Sequence, residues 1–313
     1  MRPFFTRFNV RLLMPLTVWS SAHYTFPLPE GHRFPIAKYA MLRDCVIAEG
    51  VVAAERVLDP AAATDEMLRL VHTADYVERF VAGALSTAEV RRLGFPWSRE
   101  LVERSRRAVG GTVAAARHAL AQGSGMNLAG GTHHAFADHG EGFCVFNDVA
   151  VAIQVLRDEG RIRRAAVVDL DVHQGNGTHA VFAGDPEIFT FSMHGGRNYP
   201  FEKVAGTLDI DLPDGTRDDE YLRILDAALP VVLRAAQPDL VVYLAGADPH
   251  EGDRLGRMKL SFGGLERRDA MVIQSCREVG LPVAVVIAGG YGARIEDTVR
   301  VHVATARIVA AIG

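Results

Sequence analysis

The 313-residue sequence has few cysteines and no long apolar run, and each absence excludes a class of protein. Its cysteines, Cys45, Cys144 and Cys276, are odd in number and far apart. This argues against a disulfide framework or a cysteine-based zinc site and favours a reducing, cytoplasmic location. No apolar run reaches the roughly 18 residues of a membrane-spanning helix. The net charge of −4 provides no basic surface of the kind that binds nucleic acid.

The chain also lacks internal repeats, low-complexity segments and any linker rich in proline, glycine or serine, so we expect one domain over residues 14–313. Residues 1–13 contain three arginines and no acidic residue. A signal or transit peptide is disfavoured because the apolar part is short, is interrupted by Pro15 and precedes no small-residue cleavage site. We predict a disordered extension there, with Met14 as an alternative translation start.

Apolar strand patterns alternate with amphipathic helix patterns through most of the chain. Strands are predicted at 16–19, 126–129, 165–170, 187–193, 208–212, 240–245 and 283–287. Helices are predicted at 36–49, 64–70, 73–82, within 96–122, and at 147–159, 219–236, 265–279 and 294–311. Because the strands are almost entirely apolar, this alternation predicts an α/β fold with a single open, mainly parallel sheet and helices on both faces.

Polar side chains follow the strand predicted at 165–170. Asp171 and His173 are two residues apart, so on an extended chain they would point to the same side. A carboxylate and an imidazole presented together suit a divalent transition metal, above all zinc. Asp169 is on that side as well, where it could support the ligands. The alternative is a buried strand that runs into an ordinary Asp/His loop.

The residues after His173 contain two glycines and a threonine. Gly175 and Gly177 would permit a tight turn and a close approach of neighbouring backbone. Thr178 could then cap a following helix.

Polar residues also follow three other predicted strands, at the carboxyl ends where open α/β sheets bind ligands. A Gly-Gly turn precedes His133 and His134, so both rings could point into one cleft. Asp248 and Tyr291 follow two later strands. Each has a simpler explanation. The two histidines could belong to an ordinary polar loop, Asp248 could be a turn former before proline, and Tyr291 could be a packed aromatic ring. Together they predict a metal site that keeps one position open, with the ligands Asp171, His173 and Asp248.

At these residues the sequence resembles the histone deacetylase family, from about residue 15 to the C-terminus. Five motifs carry the resemblance in order: GGTHHA at 130–135, GFCVFND at 142–148, DLDVHQGNG at 169–177, GAD at 246–248 and GGYG at 289–292. The variants QGNG at 174–177 and GDRLG at 252–256 are most similar to the class IV branch and its bacterial relatives. The resemblance implies the arginase-like α/β fold of that family.

The resemblance also implies a role for each polar residue. Zinc on the three predicted ligands would polarise an acyl carbonyl and activate water. His134 would be the general base, and His133, oriented by Asp169, its electrostatic partner. Tyr291 would donate its hydroxyl to the developing oxyanion.

The same resemblance implies a substrate channel and a second cation site. Gly142 and Phe143 would line a channel for the stem of an acyl-lysine, and Tyr199 would form the facing wall. A potassium or sodium ion would bind near the zinc, close to Asp169, Asp171 and Ser192.

One residue departs from the family pattern. Class I members carry a second aspartate behind the general base, where this chain has Asn176. An amide can orient an imidazole but stabilises its cation less well than a carboxylate does, so we expect a lower His134 pKa than in class I.

The predicted function is zinc-dependent removal of an acetyl or longer acyl group from lysine side chains of proteins or peptides, or from a similar small amine. The alternative is an acetylpolyamine deacetylase, which would catalyse the same amide hydrolysis on a small molecule. A di-manganese ureohydrolase of the arginase type would need an aspartate at Gly175 and a D-x-D after Ala245, and neither is present. A non-catalytic acyl-lysine-binding module would usually lose a metal ligand or the phenol, and this chain keeps them.

Overall fold

All strands in the computed structural model, which describes residues 16–313, belong to one sheet and pair in parallel. The strands are β1 (Val18–Trp19), β2 (Val57–Leu58), β3 (Ser124–Asn127), β4 (Ala165–Asp169), β5 (Ile188–Gly195), β6 (Leu208–Leu212), β7 (Leu240–Ala245) and β8 (Val283–Ile287). Their spatial order is β2-β1-β3-β8-β7-β4-β5-β6. The predicted N-terminal extension lies outside the described residues.

Helices cover both faces of the sheet, which confirms the predicted fold class. They are α1 (Lys38–Ala48), α2 (Asp65–Arg69), α3 (Ala74–Val81), α4 (Thr87–Leu93), α5 (Arg99–Gln122), α6 (Asp148–Asp158), α7 (Asn176–Val181), α8 (Asp218–Ala236), α9 (Phe262–Glu278) and α10 (Ile295–Ile312), with short 3₁₀ turns at Ala22–Tyr24 and Ala54–Arg56. Helix α5 packs on β3 and β8 beside α6, whereas α1, α10, α9 and α8 adjoin one another in the opposite layer. None of the helices in residues 16–313 is both long and apolar enough to cross a bilayer.

The central strands align the carboxyl ends from which the site is built. Strands β4, β7 and β8 are buried along their whole length, as expected for parallel strands covered on both faces. In their register Asp169 lies opposite Leu244, and Ala245 lies opposite Ile287. The segments that follow these strands therefore leave the sheet side by side.

The strand predicted at 126–129 is shifted by two residues. Strand β3 begins at Ser124 and pairs with β8 through Ser124 and Gly125, residues that give no apolar signal. A side chain on Gly125 would lie 2.5 Å from the carbonyl oxygen of Ala115 on α5, so close helix–sheet packing selects the glycine. The loop that carries the two histidines consequently starts earlier than predicted.

The prediction that Thr178 caps a helix is wrong. Helix α7 already begins at Asn176, directly after Gly175, and Thr178 lies inside it. There the Thr178 backbone N–H donates to the carbonyl of His133 at 3.0 Å, and its hydroxyl accepts from the Asn147 side chain at 3.0 Å. Thr178 therefore binds the loop that carries His133 and His134 and does not cap a helix.

Strand β2 and helix α4 were not predicted, although α4 has clear local signals. Ser86 and Glu89 form a reciprocal capping box at its start, and Gly94 ends it with a φ of 82°. The helix matters for the site because its last carbonyls, on Arg92 and Leu93, accept from the backbone of residues 142 and 143 at 3.2 and 2.9 Å.

A buried ionic cluster ties helices α9 and α10 to the sheet. Arg268 is fully buried and donates to the carbonyls of Leu170 and Gly246 at 3.2 and 2.7 Å. Its partner Asp269 also accepts from Tyr243 at 2.5 Å and from Thr305 at 2.6 Å. The cluster thus joins the ends of β4 and β7 to the helical layer.

We predict that Asp269→Ala lowers the free energy of unfolding by about 3–5 kcal/mol, because it leaves the Arg268 charge buried without a partner. Urea denaturation followed by circular dichroism measures this. Glu266→Ala, on the exposed side of the same helix, is the control and should change stability by less than about 0.5 kcal/mol. Equal stabilities of the two variants would contradict the prediction.

Candidate active site

The polar residues that follow β3, β4 and β8 converge on one cavity. Its lining includes both adjacent histidines, the two residues Asp171 and His173, and Tyr291. Phe34, from the loop between β1 and α1, lines it as well. The structure therefore brings together segments that are up to about 250 residues apart.

Asp171, His173 and Asp248 form a compact cluster that could hold a metal ion. Their ligand atoms all lie within 4.8 Å of one another, and all three residues are buried. The Nδ1 atom of His173 is 2.9 Å from Asp171 Oδ1 and 3.1 Å from Asp248 Oδ2. It is the one group of three or more potential metal-ligating residues found in residues 16–313.

Hydrogen bonds from the backbone hold the carboxylates of this cluster in place. The amide of Gly289 donates to Asp171 Oδ2 at 2.6 Å, and the amide of Val172 donates to Asp248 Oδ1 at 2.9 Å. Asp248 Oδ2 is buried and has no aligned hydrogen-bond donor. A buried carboxylate oxygen without a donor is costly unless a cation approaches it, so the cluster suits a metal.

Close packing around the cluster requires glycine. A Cβ atom on Gly289 would lie 1.8 Å from Asp248 Oδ2, and one on Gly246 would lie 2.7 Å from the Cα atom of Asp171. Any larger residue would displace a carboxylate.

Electrostatics also favour a cation at this point. Burial and the charge of Asp171 raise the pKa of Asp248 to about 7. Burial disfavours the charged imidazole of His173, yet the two carboxylates outweigh it and raise its pKa to about 10. The cluster of Asp171, His173 and Asp248 thus retains a proton, which a divalent metal would replace.

His133 and His134 lie side by side with ring centroids 4.2 Å apart, as the Gly-Gly turn predicted, but their partners differ. His133 Nδ1 is 2.6 Å from Asp169 Oδ2, and His134 Nδ1 is 2.7 Å from Asn176 Oδ1. Burial opposes the charge on His133, but Asp169 overrides it and raises the pKa to about 9. Burial and the charges of His133 and His173 lower the His134 pKa well below its usual value. One ring is therefore cationic and the other neutral.

Several contacts fix the loop that carries these histidines. Asp148 accepts from the backbone amides of Gly131 and Thr132 at 3.1 and 2.7 Å. A Cβ atom on Gly177 would lie 2.4 Å from the Ala135 carbonyl oxygen, which confirms the predicted close backbone approach. Sequence reasoning assigned no role to Asp148, although it belongs to the GFCVFND motif.

Tyr291 faces the cluster from the end of β8. Its ring is nearly buried, lying 6.4 Å from the ring of His173 and 6.0 Å from that of Phe143. Its amide donates to Asp253 Oδ2 at 2.6 Å. Burial and the charges of Asp248 and Asp171 raise its pKa well above the usual value, so the phenol keeps its proton and can donate it in a hydrogen bond.

Gly142 and Phe143 line the cavity, and Tyr199 lies next to Gly142. Gly142 has a φ of 56°, and a Cβ atom there would lie 2.7 Å from His134 Cδ2 and 3.1 Å from Tyr199 Cε1. The Tyr199 ring stands edge-on to His134 at 4.9 Å, and Phe143 packs 5.4 Å from Phe34. The predicted channel residues are thus neighbours of the predicted general base.

Glu141 was not predicted to belong to the site. Its Oε1 atom accepts from the side-chain amide of Asn176 at 2.7 Å, directly behind His134. The residue precedes a motif and has no pattern of its own, so only its spatial position identifies it.

Ser192 lies opposite Asp169 in the β4–β5 register and is fully buried. Its hydroxyl is 2.9 Å from His194 Nδ1. The monovalent-cation site expected near these residues stays a prediction.

Comparisons with known proteins identify the family of this chain. The family profile for the histone deacetylase domain matches residues 32–306. A protein of Picosynechococcus sp. is 46% identical over 279 residues, covering 89% of this chain and 93% of that protein. Histone deacetylase 2 of Arabidopsis thaliana is 34% identical over 296 residues, covering 91% of this chain and 76% of that protein.

Among solved structures, an HDAC homolog complexed with SAHA matches with a TM-score of 0.84 and 26% identity. The match covers 96% of this chain and 85% of that one. The chain belongs to the histone deacetylase family.

Proposed function

We propose that this deacetylase-family protein is a zinc-dependent amide hydrolase that releases an acyl group from the side-chain amine of lysine. The observation that carries the proposal is the buried Asp171–His173–Asp248 cluster, with the rings of His134 and Tyr291 lying 6.0 and 6.4 Å from the ring of His173. Three protein ligands leave a coordination position for water and substrate, which is the arrangement of a catalytic rather than a structural zinc.

Zinc on this cluster would supply Lewis acidity toward the acyl carbonyl and the attacking water. His134 accepts the water proton at Nε2, since its Nδ1 faces the Asn176 oxygen, and returns it to the leaving amine. His133, held cationic by Asp169, adds positive charge beside the developing oxyanion. The Tyr291 hydroxyl donates to that oxyanion.

The entrance favours an acylated amine on a flexible, apolar stem. Phe143 and Tyr199 offer aromatic walls, and Gly142 leaves space between them because it has no side chain. Acyl-lysine in a protein or peptide fits this description, and an acetylpolyamine is the alternative. The class IV character of the QGNG and GDRLG motifs extends the candidate acyl groups to longer chains. We place the enzyme in the cytoplasm, with a potassium or sodium ion near Ser192.

Asp248→Asn should lower zinc affinity by about 100-fold or more, because a neutral amide replaces an anionic ligand in a buried site. Metal content after equilibration with zinc, iron or manganese measures this. Asp226→Asn, at an exposed position, is the control and should retain one metal ion per chain. Two manganese ions per chain and no zinc would instead indicate ureohydrolase chemistry.

Tyr291→Phe should reduce kcat by about 10²- to 10³-fold while leaving metal content unchanged, because one oxyanion donor is lost. The assay uses a panel of acyl-lysine peptides and acetylpolyamines that differ in acyl length. His134→Ala should be at least as damaging. If the wild type binds acyl-lysine but cleaves no member of the panel, the chain is a binding module and the proposal fails.

Asn176→Asp should move the acidic limb of the kcat/KM profile to higher pH. A carboxylate beside His134 stabilises the imidazolium and raises its pKa, so the active neutral base is lost at a higher pH as the solution is acidified. Profiles measured between about pH 5 and pH 9 test this. An acidic limb that stays in place or moves down would contradict it.

A further inference from the structure

We propose that Glu141 is a positioning residue that fixes the tautomer of His134 by orienting the side-chain amide of Asn176. The inference rests on the proposed function, in which His134 is the general base, and it concerns a residue with no part in the bond-making steps.

The amide of Asn176 has two ends, and only one serves catalysis. If its oxygen faces His134 Nδ1, that nitrogen carries the proton and Nε2 keeps a free lone pair toward the cavity. If the amide is flipped, its NH₂ group faces Nδ1, and the ring proton moves to Nε2, where the ring can no longer accept one. His134 by itself cannot select between these states, because each forms one good hydrogen bond.

Glu141 removes the ambiguity. A carboxylate offers acceptors only, so the Asn176 atom that lies 2.7 Å from Glu141 Oε1 must be the NH₂ group. The amide oxygen is then the atom that lies 2.7 Å from His134 Nδ1. In the flipped state the oxygen would instead face the carboxylate, and two acceptors would repel each other. An aspartate at position 176, as in class I, would need no such partner because its two oxygens are equivalent.

The surroundings hold Glu141 in this position. Its side chain is only 14% exposed, and its backbone carbonyl accepts from Cys144 at 2.8 Å. The Glu141 carboxylate also lies near Tyr199, where it contributes, after burial, to raising the pKa of the Tyr199 phenol. The ring of His139 is also near, with Nε2 3.9 Å from Oε2. The carboxylate therefore joins the channel wall to the residue behind the general base.

A double-mutant cycle tests the positioning role of Glu141, because the effect of Glu141→Ala on kcat should differ between the wild-type and Asn176→Asp backgrounds. With Asn176 present, Glu141→Ala should lower kcat by about 10- to 100-fold with little change in KM, the range expected for a charge-assisted hydrogen bond. Glu141→Gln, which keeps an acceptor, should restore part of the loss. In the Asn176→Asp background Glu141→Ala should be neutral or should raise kcat, because two carboxylates no longer face each other.

Asp138→Asn is the matched control, since it removes a charge from the same loop at a side chain that is 73% exposed. It should leave kcat within about twofold. If Glu141→Ala lowers kcat equally in both backgrounds, Glu141 has a general structural role and the inference is overturned.

A spectroscopic readout separates this inference from the proposed function. Long-range ¹H–¹⁵N correlation spectra of the zinc-loaded protein report which ring nitrogen of His134 carries the proton, and His134→Ala assigns the signal. We expect the Nδ1–H tautomer in the wild type and a mixed or Nε2–H state in Glu141→Ala. An unchanged tautomer overturns the role of Glu141 even if the enzyme is active. Failure to cleave any acyl-amine would overturn only the proposed function.

Discussion

Two buried carboxylates that share one imidazole nitrogen are the constraint on which the rest of the site depends. Asp171 and Asp248 can approach His173 this closely only because the parallel strands β4 and β7 end side by side. Glycines at 246 and 289 leave the space, and backbone amides occupy the outer carboxylate oxygens. What remains is a buried pair of carboxylates whose negative charge a divalent cation compensates better than a proton does.

The same electrostatic setting separates the tasks of two adjacent, chemically identical residues. His133 has a carboxylate behind it and is held as a cation, whereas His134 has an amide behind it and lies beside two positive rings. Asp169 behind one ring and Asn176 behind the other thus contribute to the difference between the two histidines, and Glu141 in turn accepts a hydrogen bond from Asn176.

The part of the cavity lining formed by Gly142 and Phe143 depends on segments far from the cluster of Asp171, His173 and Asp248. Helix α4 anchors the backbone of residues 142 and 143 through its final carbonyls, and the positive φ angles of Gly142 and Phe143 turn that loop toward His134 and Tyr291. Asp253 holds the backbone of Tyr291 in the same way. Loops held by a rigid scaffold can thus vary without moving the cluster of Asp171, His173 and Asp248.

Apolar periodicity and the polar residues after each strand were sufficient to predict the parallel sheet, most helices and the cluster of Asp171, His173 and Asp248, because strand ends in such a sheet must meet at one edge. The tertiary structure alone decided where β3 begins, where Thr178 lies and what Glu141 contacts. Each of these depends on a close approach between distant segments: Gly125 against α5, Thr178 against the histidine loop, and Glu141 against Asn176. Local sequence patterns indicate the secondary structure that a segment favours, whereas these contacts form only when distant segments pack together.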